Sequence, residues 1–244
     1  MIFKPFYVYE TGCASYLLGC GSLGKCAVVD PAAALVEDYL AFAVAKDMRI
    51  THVFETHVHA DHRSGGRALA ARAGAAYCLH RSADVAFAFT PLDDGQEVEL
   101  GNTRVHVLHT PGHTPESVCY LVSDLRRGPE PWFLLSGDTL FVGAVGRPDL
   151  PGHARENAAQ IYKSLRGRLF DLPDEIEIYP AHFSGSACGV GMSGKPSSTL
   201  GFEKRWNPLL QADRAAFIDA LIEVPAKPTD MAAIVAFNQG RAAA

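Results

Sequence analysis

The chain has 244 residues, of which 48% are hydrophobic and 20% are charged, and its formal net charge is −5. This length and hydrophobic content suffice for a sizeable core, so we expect one domain over residues 1–244. Lys and Arg are nowhere gathered into a run, which argues against a nucleic-acid partner and favours a small, soluble substrate.

The first part of the chain predicts strands alternating with helices. Short apolar runs at 16–18 and 27–30, separated by glycines, predict a hairpin. Apolar positions that recur at intervals of three and four over 33–46 predict a helix. A strand over 50–55 then leads into a polar segment, and an Ala- and Arg-rich helix follows and ends near Gly74.

The rest of the chain predicts a second group of strands with helices. We expect a helix over about 155–170 and a closing helix capped by Asn207 and Pro208. Further strands are predicted at 76–79, 97–100, 104–108, 118–122, 132–135 and 175–179. This order predicts an α/β (α+β) fold of two packed sheets with helices on both outer sides. We expect residues 196–244 to form a C-terminal helical extension packed on that domain.

Location and redox state are also constrained by the sequence. We find no signal-peptide pattern and no apolar stretch long enough to span a bilayer, so we expect a cytoplasmic protein without a membrane partner. The six cysteines lack CxxC spacing. They predict reduced, mostly buried thiols rather than a disulfide framework.

The segment after the predicted strand 50–55 holds four possible metal ligands within six residues, which are His57, His59, Asp61 and His62. Imidazole and carboxylate are the ligands that borderline divalent metals accept. In an extended segment His57 and His59 would point the same way, while Asp61 and His62 could face a neighbouring position. One loop could therefore serve two metal positions.

Three more candidate ligands each follow a predicted strand, namely His113, Asp138 and His182. Loops at one edge of a two-sheet scaffold converge, so these residues can share a site with the first four. An isolated histidine is more often a hydrogen-bonded structural residue than a ligand, and we expect His109 to have a structural or supporting role.

The segments THVHADH (56–62), HTPGHT (109–114), SGDTLF (136–141) and YPAH (179–182) resemble the successive signature segments of the metallo-β-lactamase superfamily. The resemblance covers almost the whole chain. It implies a four-layer αββα sandwich with a metal site at the shared edge of the two sheets.

Two chemistries remain open on such a scaffold. Similarity to hydroxyacylglutathione hydrolases implies two metals, Zn or mixed Zn/Fe, with Asp138 between a group of His57, His59 and His113 and a group of Asp61, His62 and His182. Alternatively, His57, His113 and Asp138 alone form a two-His, one-carboxylate triad that leaves positions open on non-haem Fe(II). The groups that would then orient the ligands are His59, Asp61, His62 and His182.

Segments 143–150, 185–189 and 197–208 resemble persulfide dioxygenases, particularly bacterial forms that carry a rhodanese domain. This resemblance implies one Fe(II) per chain and oxidation of a thiol persulfide, glutathione persulfide being expected, by O₂ to sulfite and free thiol. Because no rhodanese domain follows, we expect that a separate sulfurtransferase can supply the persulfide in trans. The sequence is compatible with a monomer or a homodimer.

Two more residues are candidates for substrate chemistry. The Arg147 guanidinium can hold a carrier carboxylate by two parallel hydrogen bonds, and the resemblance implies that it lies near the thiol-binding cleft. Cys188, in a Gly-rich loop, could relay sulfane sulfur if its thiol pKa were lowered. A non-catalytic metal or persulfide sensor is the alternative outside enzymes. All seven ligand positions are filled, which favours the enzyme.

Overall fold

The computed structural model describes residues 1–150, 152–223, 227 and 229–242. The first of its two sheets has six strands in chain order. Strands β1 to β3 are antiparallel and β3 to β6 are parallel. Their bounds are β1 Ile2–Val8, β2 Cys13–Cys20, β3 Lys25–Val29, β4 Arg49–Phe54, β5 Ala76–His80 and β6 Thr90–Leu92.

The second sheet also has six strands, in the order β12-β11-β10-β9-β8-β7. All its neighbours are antiparallel except β10 and β11. The bounds are β7 Glu97–Leu100, β8 Thr103–His109, β9 Val118–Asp124, β10 Phe133–Gly137, β11 Glu177–Pro180 and β12 Ser198–Thr199.

Seven α-helices accompany the sheets in the described residues. They are α1 Val36–Ala45, α2 Gly66–Ala73, α3 Ala154–Ser164, α4 Leu200–Trp206, α5 Pro208–Gln211, α6 Arg214–Ile222 and α7 Met231–Asn238. A π-helical turn over Leu165–Leu169 continues α3.

Side chains along each strand point alternately to the two faces of the sheet, so each sheet packs on the other sheet with one face and on helices with the other. In β2, Tyr16 and Leu18 face the core between the sheets, while Leu17 packs outward with Tyr39 of α1 and Leu69 of α2. On the other side the outward residues of the second sheet pack on α3 and α6, as Leu134, Ile161 and Phe217 do. The result is the predicted αββα sandwich, with loops of both sheets meeting along one edge.

Several elements differ from the prediction. Strands β1, β6 and β12 were not predicted, and β1 contains Pro5, which an edge strand tolerates because one side needs no ladder bond. The helix predicted over 33–46 starts as a 3₁₀ turn at Ala33–Leu35. Asn207 caps α5 as predicted, yet the chain continues through α6 and α7. Helix α7 lacks a polar face, so no helical periodicity revealed it.

Two general expectations can be compared with the structure. All six cysteines are free and buried, as predicted. Among the described residues, no helix combines the length and apolar character needed to cross a membrane. The proposed division of the chain at residue 196 stays a prediction, and Ser198–Thr199 of that part form an edge strand rather than a helix.

Candidate metal centre

The loop after β4 is held by the buried carboxylate of Asp30, which follows β3. Asp30 Oδ1 accepts a hydrogen bond from the Thr56 backbone N–H at 2.6 Å, and Oδ2 accepts one from the Thr56 hydroxyl at 2.8 Å. Since this hydroxyl has donated its only hydrogen, it accepts from His57 Nδ1, 2.9 Å away. The proton of His57 therefore lies on Nδ1, and the Nε2 lone pair is left for a metal.

His59 is held through its other ring nitrogen. Its Nε2 lies 3.2 Å from Asp30 Oδ1 and 3.2 Å from Glu55 Oε2, both of which are acceptors. The Ser64 hydroxyl in turn donates to the Glu55 carboxylate. A proton is therefore fixed on Nε2, and Nδ1 is directed away from these carboxylates. A carboxylate that orients a histidine in this way is typical of metal sites.

Two loops of the second sheet supply the next ligands. His113, between β8 and β9, donates from Nδ1 to the Arg147 carbonyl oxygen at 2.8 Å. Asp138 follows β10, where Gly137 has a φ of 52°. A Cβ at Gly137 would lie 2.7 Å from the Thr56 Cβ. Glycine is thus needed for the Asp138 loop to approach the Thr56 loop.

His57, His113 and Asp138 meet at a buried point. Asp138 Oδ2 lies 3.3 Å from His113 Nε2 and 3.8 Å from His57 Nε2. All three atoms are buried, and none has a hydrogen-bond partner in the part of the chain that the structure describes. Buried polar atoms are nearly always paired. Two imidazole nitrogens and one carboxylate oxygen directed at one point fit a divalent metal.

A second group of ligands lies beside the first. His182 Nδ1 donates to Asp138 Oδ1 at 2.7 Å, so only Oδ2 of Asp138 remains for the first group. His182 Nε2 is 2.8 Å from Asp61 Oδ2, and His62 Nδ1 is 3.1 Å from the same oxygen. The thiol of Cys13, at the start of β2, lies 3.4 Å from that oxygen as well. The structure thus gathers all seven predicted ligands, plus one unpredicted cysteine.

The surroundings also set the protonation of the metal-free site. Burial would raise the pKa of Asp138, but the imidazoles of His182, His57 and His113 hold it well below its usual range. Burial lowers the pKa of His57 well below its usual value. For His59, burial acts in the same direction, yet the two adjacent carboxylates raise the pKa well above normal. At neutral pH Asp138 is therefore ionised and His57 is neutral. His59 is protonated on both ring nitrogens, and a metal would displace the second of these protons.

Arg147 is buried, and its guanidinium already has a carboxylate partner. Nε lies 2.7 Å from Asp149 Oδ1 and Nη2 lies 3.0 Å from Asp149 Oδ2. The residue also lines a cleft of about 340 Å³ with Val145 and Leu209. In this structure Asp149 takes the two parallel hydrogen bonds that we expected a carrier carboxylate to receive. The predicted substrate contact of Arg147 therefore stays a prediction.

Cys188 is fully buried beside Asp138 and His182. Burial raises the pKa of its thiol well above the usual value. The relay hypothesis needs a lowered pKa, so the structure does not favour it. His109 stacks on His80, with ring centroids 3.9 Å apart, and belongs to neither ligand group.

Five residues that organise the site were not predicted, namely Cys13, Asp30, Glu55, Thr56 and Asn238. Asp30 and Glu55 follow strands, as the predicted ligands do, and that signal could have identified them. Asn238 had no local signal because it lies at the end of the apolar helix α7. Its Oδ1 accepts from Ser64 N at 2.9 Å, and its Nδ2 donates to the carbonyl oxygens of His59 and His62, each at 2.8 Å.

The sequence of this chain is similar to those of metal-dependent enzymes. The sequence model of the Metallo-beta-lactamase superfamily matches residues 8–182. The hydroxyacylglutathione hydrolase of Rhodospirillum rubrum is 30% identical, over 88% of this chain and 89% of that protein. The mitochondrial persulfide dioxygenase ETHE1 of Bos taurus is 25% identical, over 85% and 75%.

Solved structures agree with the sequence comparison. A metallo-beta-lactamase from Staphylococcus aureus is 38% identical with a TM-score of 0.92, over 98% of this chain and 72% of that chain. ETHE1 from Myxococcus xanthus is 32% identical with a TM-score of 0.84, over 99% and 100%. The relatives include a hydrolase and a dioxygenase, so likeness alone does not choose between the two reactions.

Proposed function

Because the chain belongs to the metallo-beta-lactamase superfamily, we propose that it is an Fe(II)-dependent dioxygenase of thiol persulfides, with glutathione persulfide as the substrate. One iron per chain would be held by His57, His113 and Asp138. The reaction is RSSH + O₂ + H₂O → RSH + sulfite + 2 H⁺, in which the terminal sulfur loses four electrons to O₂. A separate sulfurtransferase would supply the persulfide.

The observation that carries the proposal is the set of three buried atoms, one each on His57, His113 and Asp138, that have no hydrogen-bond partner among the residues the structure describes. Asp138 contributes one oxygen because His182 occupies the other. Two nitrogens and one oxygen leave further coordination positions open, the arrangement of non-haem Fe(II) oxygenases. The likeness to ETHE1 over nearly the full length of both chains supports the same choice.

The chain's own residues would prepare the site for this reaction. Bound iron would supply the redox chemistry and the positions that bring persulfide and O₂ together. Thr56 and the Arg147 carbonyl fix the tautomers of His57 and His113, so the Nε2 atoms of both residues would be free to hold the iron. Arg147 also lines a cleft, and because its carbonyl oxygen contacts His113, this cleft would receive the thiol carrier. Burial of all three ligands excludes bulk water.

A second candidate function is a dinuclear thioester hydrolase. It is favoured by the group of Asp61, His62 and His182, which lies directly beside the triad. With two metals bound, a coordinated water could attack the thioester carbonyl of a hydroxyacylglutathione. The Rhodospirillum rubrum relative supports this alternative.

The decisive experiment compares both reactions on one sample. The protein is loaded with Fe(II) under anaerobic conditions, because Zn²⁺ outcompetes Fe²⁺ at generic nitrogen and oxygen sites. O₂ uptake with glutathione persulfide is then measured beside S-lactoylglutathione hydrolysis, with metal counted per chain. We expect uptake matched by sulfite release at about one iron. Hydrolysis with two metals and no uptake would establish the thioesterase instead, and no turnover at all would point to a sensor.

Two histidine variants distinguish loss of a triad ligand from a general effect of replacing a histidine. His113→Ala removes one nitrogen ligand and should abolish both iron binding and O₂ uptake. The matched control is His106→Ala, since His106 is partly exposed on β8 and lies near Glu97, outside both ligand groups. A lack of rate gain on adding a sulfurtransferase with its donor would count against supply in trans.

A further inference from the structure

The start of β2 brings a thiol to the second ligand group. Cys13 is 5% exposed, and its Sγ lies 3.4 Å from Asp61 Oδ2 and 3.9 Å from His62 Nδ1. One ligand atom from each of Cys13, Asp61, His62 and His182 can be chosen so that all four lie within 4.8 Å of one another. The four residues therefore form one compact cluster, distinct from the triad.

Backbone contacts fix the thiol in this place. Cys13 forms an antiparallel bridge with His182, and Ala14 N donates to Ala181 O at 2.7 Å. Phe183 N donates to Gly12 O at 2.8 Å, so both neighbours of Cys13 are tied to the His182 segment. The bridge between the two sheets therefore fixes the backbone of Cys13 beside the cluster.

A buried nitrogen without a hydrogen-bond partner indicates a cation position in the cluster. His62 Nδ1 lies 3.1 Å from Asp61 Oδ2 and 3.9 Å from Cys13 Sγ, so it is the nitrogen that His62 offers to the cluster. His182 is fully buried, and among the described residues its Nε2 has no partner with hydrogen-bond geometry, although it lies 2.8 Å from Asp61 Oδ2. A bound cation would satisfy this nitrogen of His182.

The dimensions and chemistry suit zinc. Around a tetrahedral Zn²⁺, with bonds of about 2.0–2.3 Å, neighbouring ligand atoms lie roughly 3.3–3.6 Å apart. The 3.4 Å between Sγ and Asp61 Oδ2 has this size, and the other separations of 2.8 Å and 3.9 Å lie on either side of it. Thiolate is a softer ligand than imidazole or carboxylate and favours Zn²⁺ over Fe²⁺. The triad offers nitrogen and oxygen only.

The group of Asp61, His62 and His182 is the second metal position that the superfamily resemblance implies, and we propose that the Cys13 thiolate is an additional, direct ligand of a zinc ion there. The site is separate from the iron position of the proposed function and does not depend on it. The protein would thus sort two metals by ligand softness, with a thiophilic ion in the cysteine-containing cluster and a harder ion in the triad.

Cobalt(II) is the probe, because a thiolate bound to Co²⁺ produces a near-ultraviolet charge-transfer band that nitrogen and oxygen ligands do not. Wild-type protein with two equivalents of Co²⁺ should show this band. Cys13→Ser should abolish it and weaken binding of one equivalent at least tenfold. The matched control is Cys20→Ser, at the other end of β2, where the thiol contacts Ser22 and Asn102. This control should retain the band.

Two more variants complete the test. His113→Ala should lose the triad metal but keep the band, so failure of the dioxygenase proposal and failure of this one give different results. Loss of the band in Cys188→Ser but not in Cys13→Ser would overturn the assignment, as would absence of the band from the wild type. If Cys13→Ser does not fold, X-ray absorption of the zinc-loaded wild type decides, because one sulfur at about 2.3 Å is required.

Discussion

At the scale of single residues, the centre depends on acceptors that fix which ring nitrogen carries a proton. Thr56 is the clearest case, because its hydroxyl donates to Asp30 and therefore can only accept from His57. The carbonyl of Arg147 has the same effect on His113. These residues need not contact a metal to determine how well it binds.

Thr56→Val should weaken metal binding without unfolding the protein, because it removes the hydroxyl but keeps the shape. We expect a 10–100-fold loss of affinity, the usual effect of removing a group that orients a ligand. Chelator competition measures the affinity, and Thr56→Ser should restore it. Thr51→Val is the control, since Thr51 lies on β4, the strand that leads into the Thr56 loop, and donates to Cys26 O, outside the site. Equal losses in both variants would refute the orienting role.

At the scale of elements, the C-terminal helix α7 holds the loop that bears most of the ligands. Asn238 makes three hydrogen bonds to this loop, one to Ser64 and one each to the carbonyls of His59 and His62. The first residues of the loop are held from another side, where the Glu116 carboxylate accepts from Val58 N at 2.9 Å. The loop is therefore shaped by parts of the chain far from it in sequence.

Asn238→Ala should loosen this loop and lower the stability of the protein. Three backbone groups, one of them in a fully buried hydrogen bond, would lose their partner, and each buried group left unsatisfied costs about 1–3 kcal/mol unless water replaces it. We expect faster amide exchange at 57–66 and weaker metal binding. Gln239→Ala is the control because, within the part of the chain that the structure describes, that side chain accepts a hydrogen bond from the nearby Arg241 and none links it to the loop. Unchanged exchange in this loop would show that α7 does not restrain it.

At the scale of the whole molecule, the centre joins the two sheets. Asp30 and the loop after β4 belong to the first sheet, whereas His113, Asp138 and His182 belong to the second. A metal that binds ligands from both sheets binds the native state far better than the unfolded chain. It should therefore stabilise the fold as a unit.

Metal at 100 times its Kd should raise the free energy of unfolding by about 2.7 kcal/mol. For a chain of this length, that is a shift of about 5–10 °C in Tm. In metal-free protein the raised pKa of His59 and His182 means that protons compete with metal, so the shift should grow as pH rises from 6 to 8. Differential scanning calorimetry with and without chelator measures it. Asp138→Asn should show little shift.

The direction in which the metal-induced Tm shift changes with pH follows from the raised pKa values of His59 and His182. A histidine whose pKa is raised on folding stabilises the metal-free protein fully below its unfolded pKa, and that contribution is lost as pH rises through the folded pKa. The metal-free and metal-bound curves should therefore diverge towards alkaline pH. A metal-induced shift that shrinks as pH rises would contradict this assignment of protons.

The sequence by itself determined the chemistry available and the layered fold. Ligand types, their density at 57–62 and the strand periods are local properties, so one chain suffices to predict seven ligands and an αββα sandwich. The hydrophobic pattern did not predict the strand with Pro5 or the apolar helix α7, because neither segment has a clear alternation of polar and apolar residues.

Only the tertiary structure decided how the ligands are grouped and held. His182 meets Asp138 across 44 residues, Cys13 meets Asp61 across 48, and Asn238 reaches His62 across 176. Such contacts depend on sheet pairing and register, which a local pattern does not encode. Arg147 is a different case, because its partner Asp149 lies two residues away in the sequence; here the local conformation of the loop decides that the guanidinium binds this carboxylate.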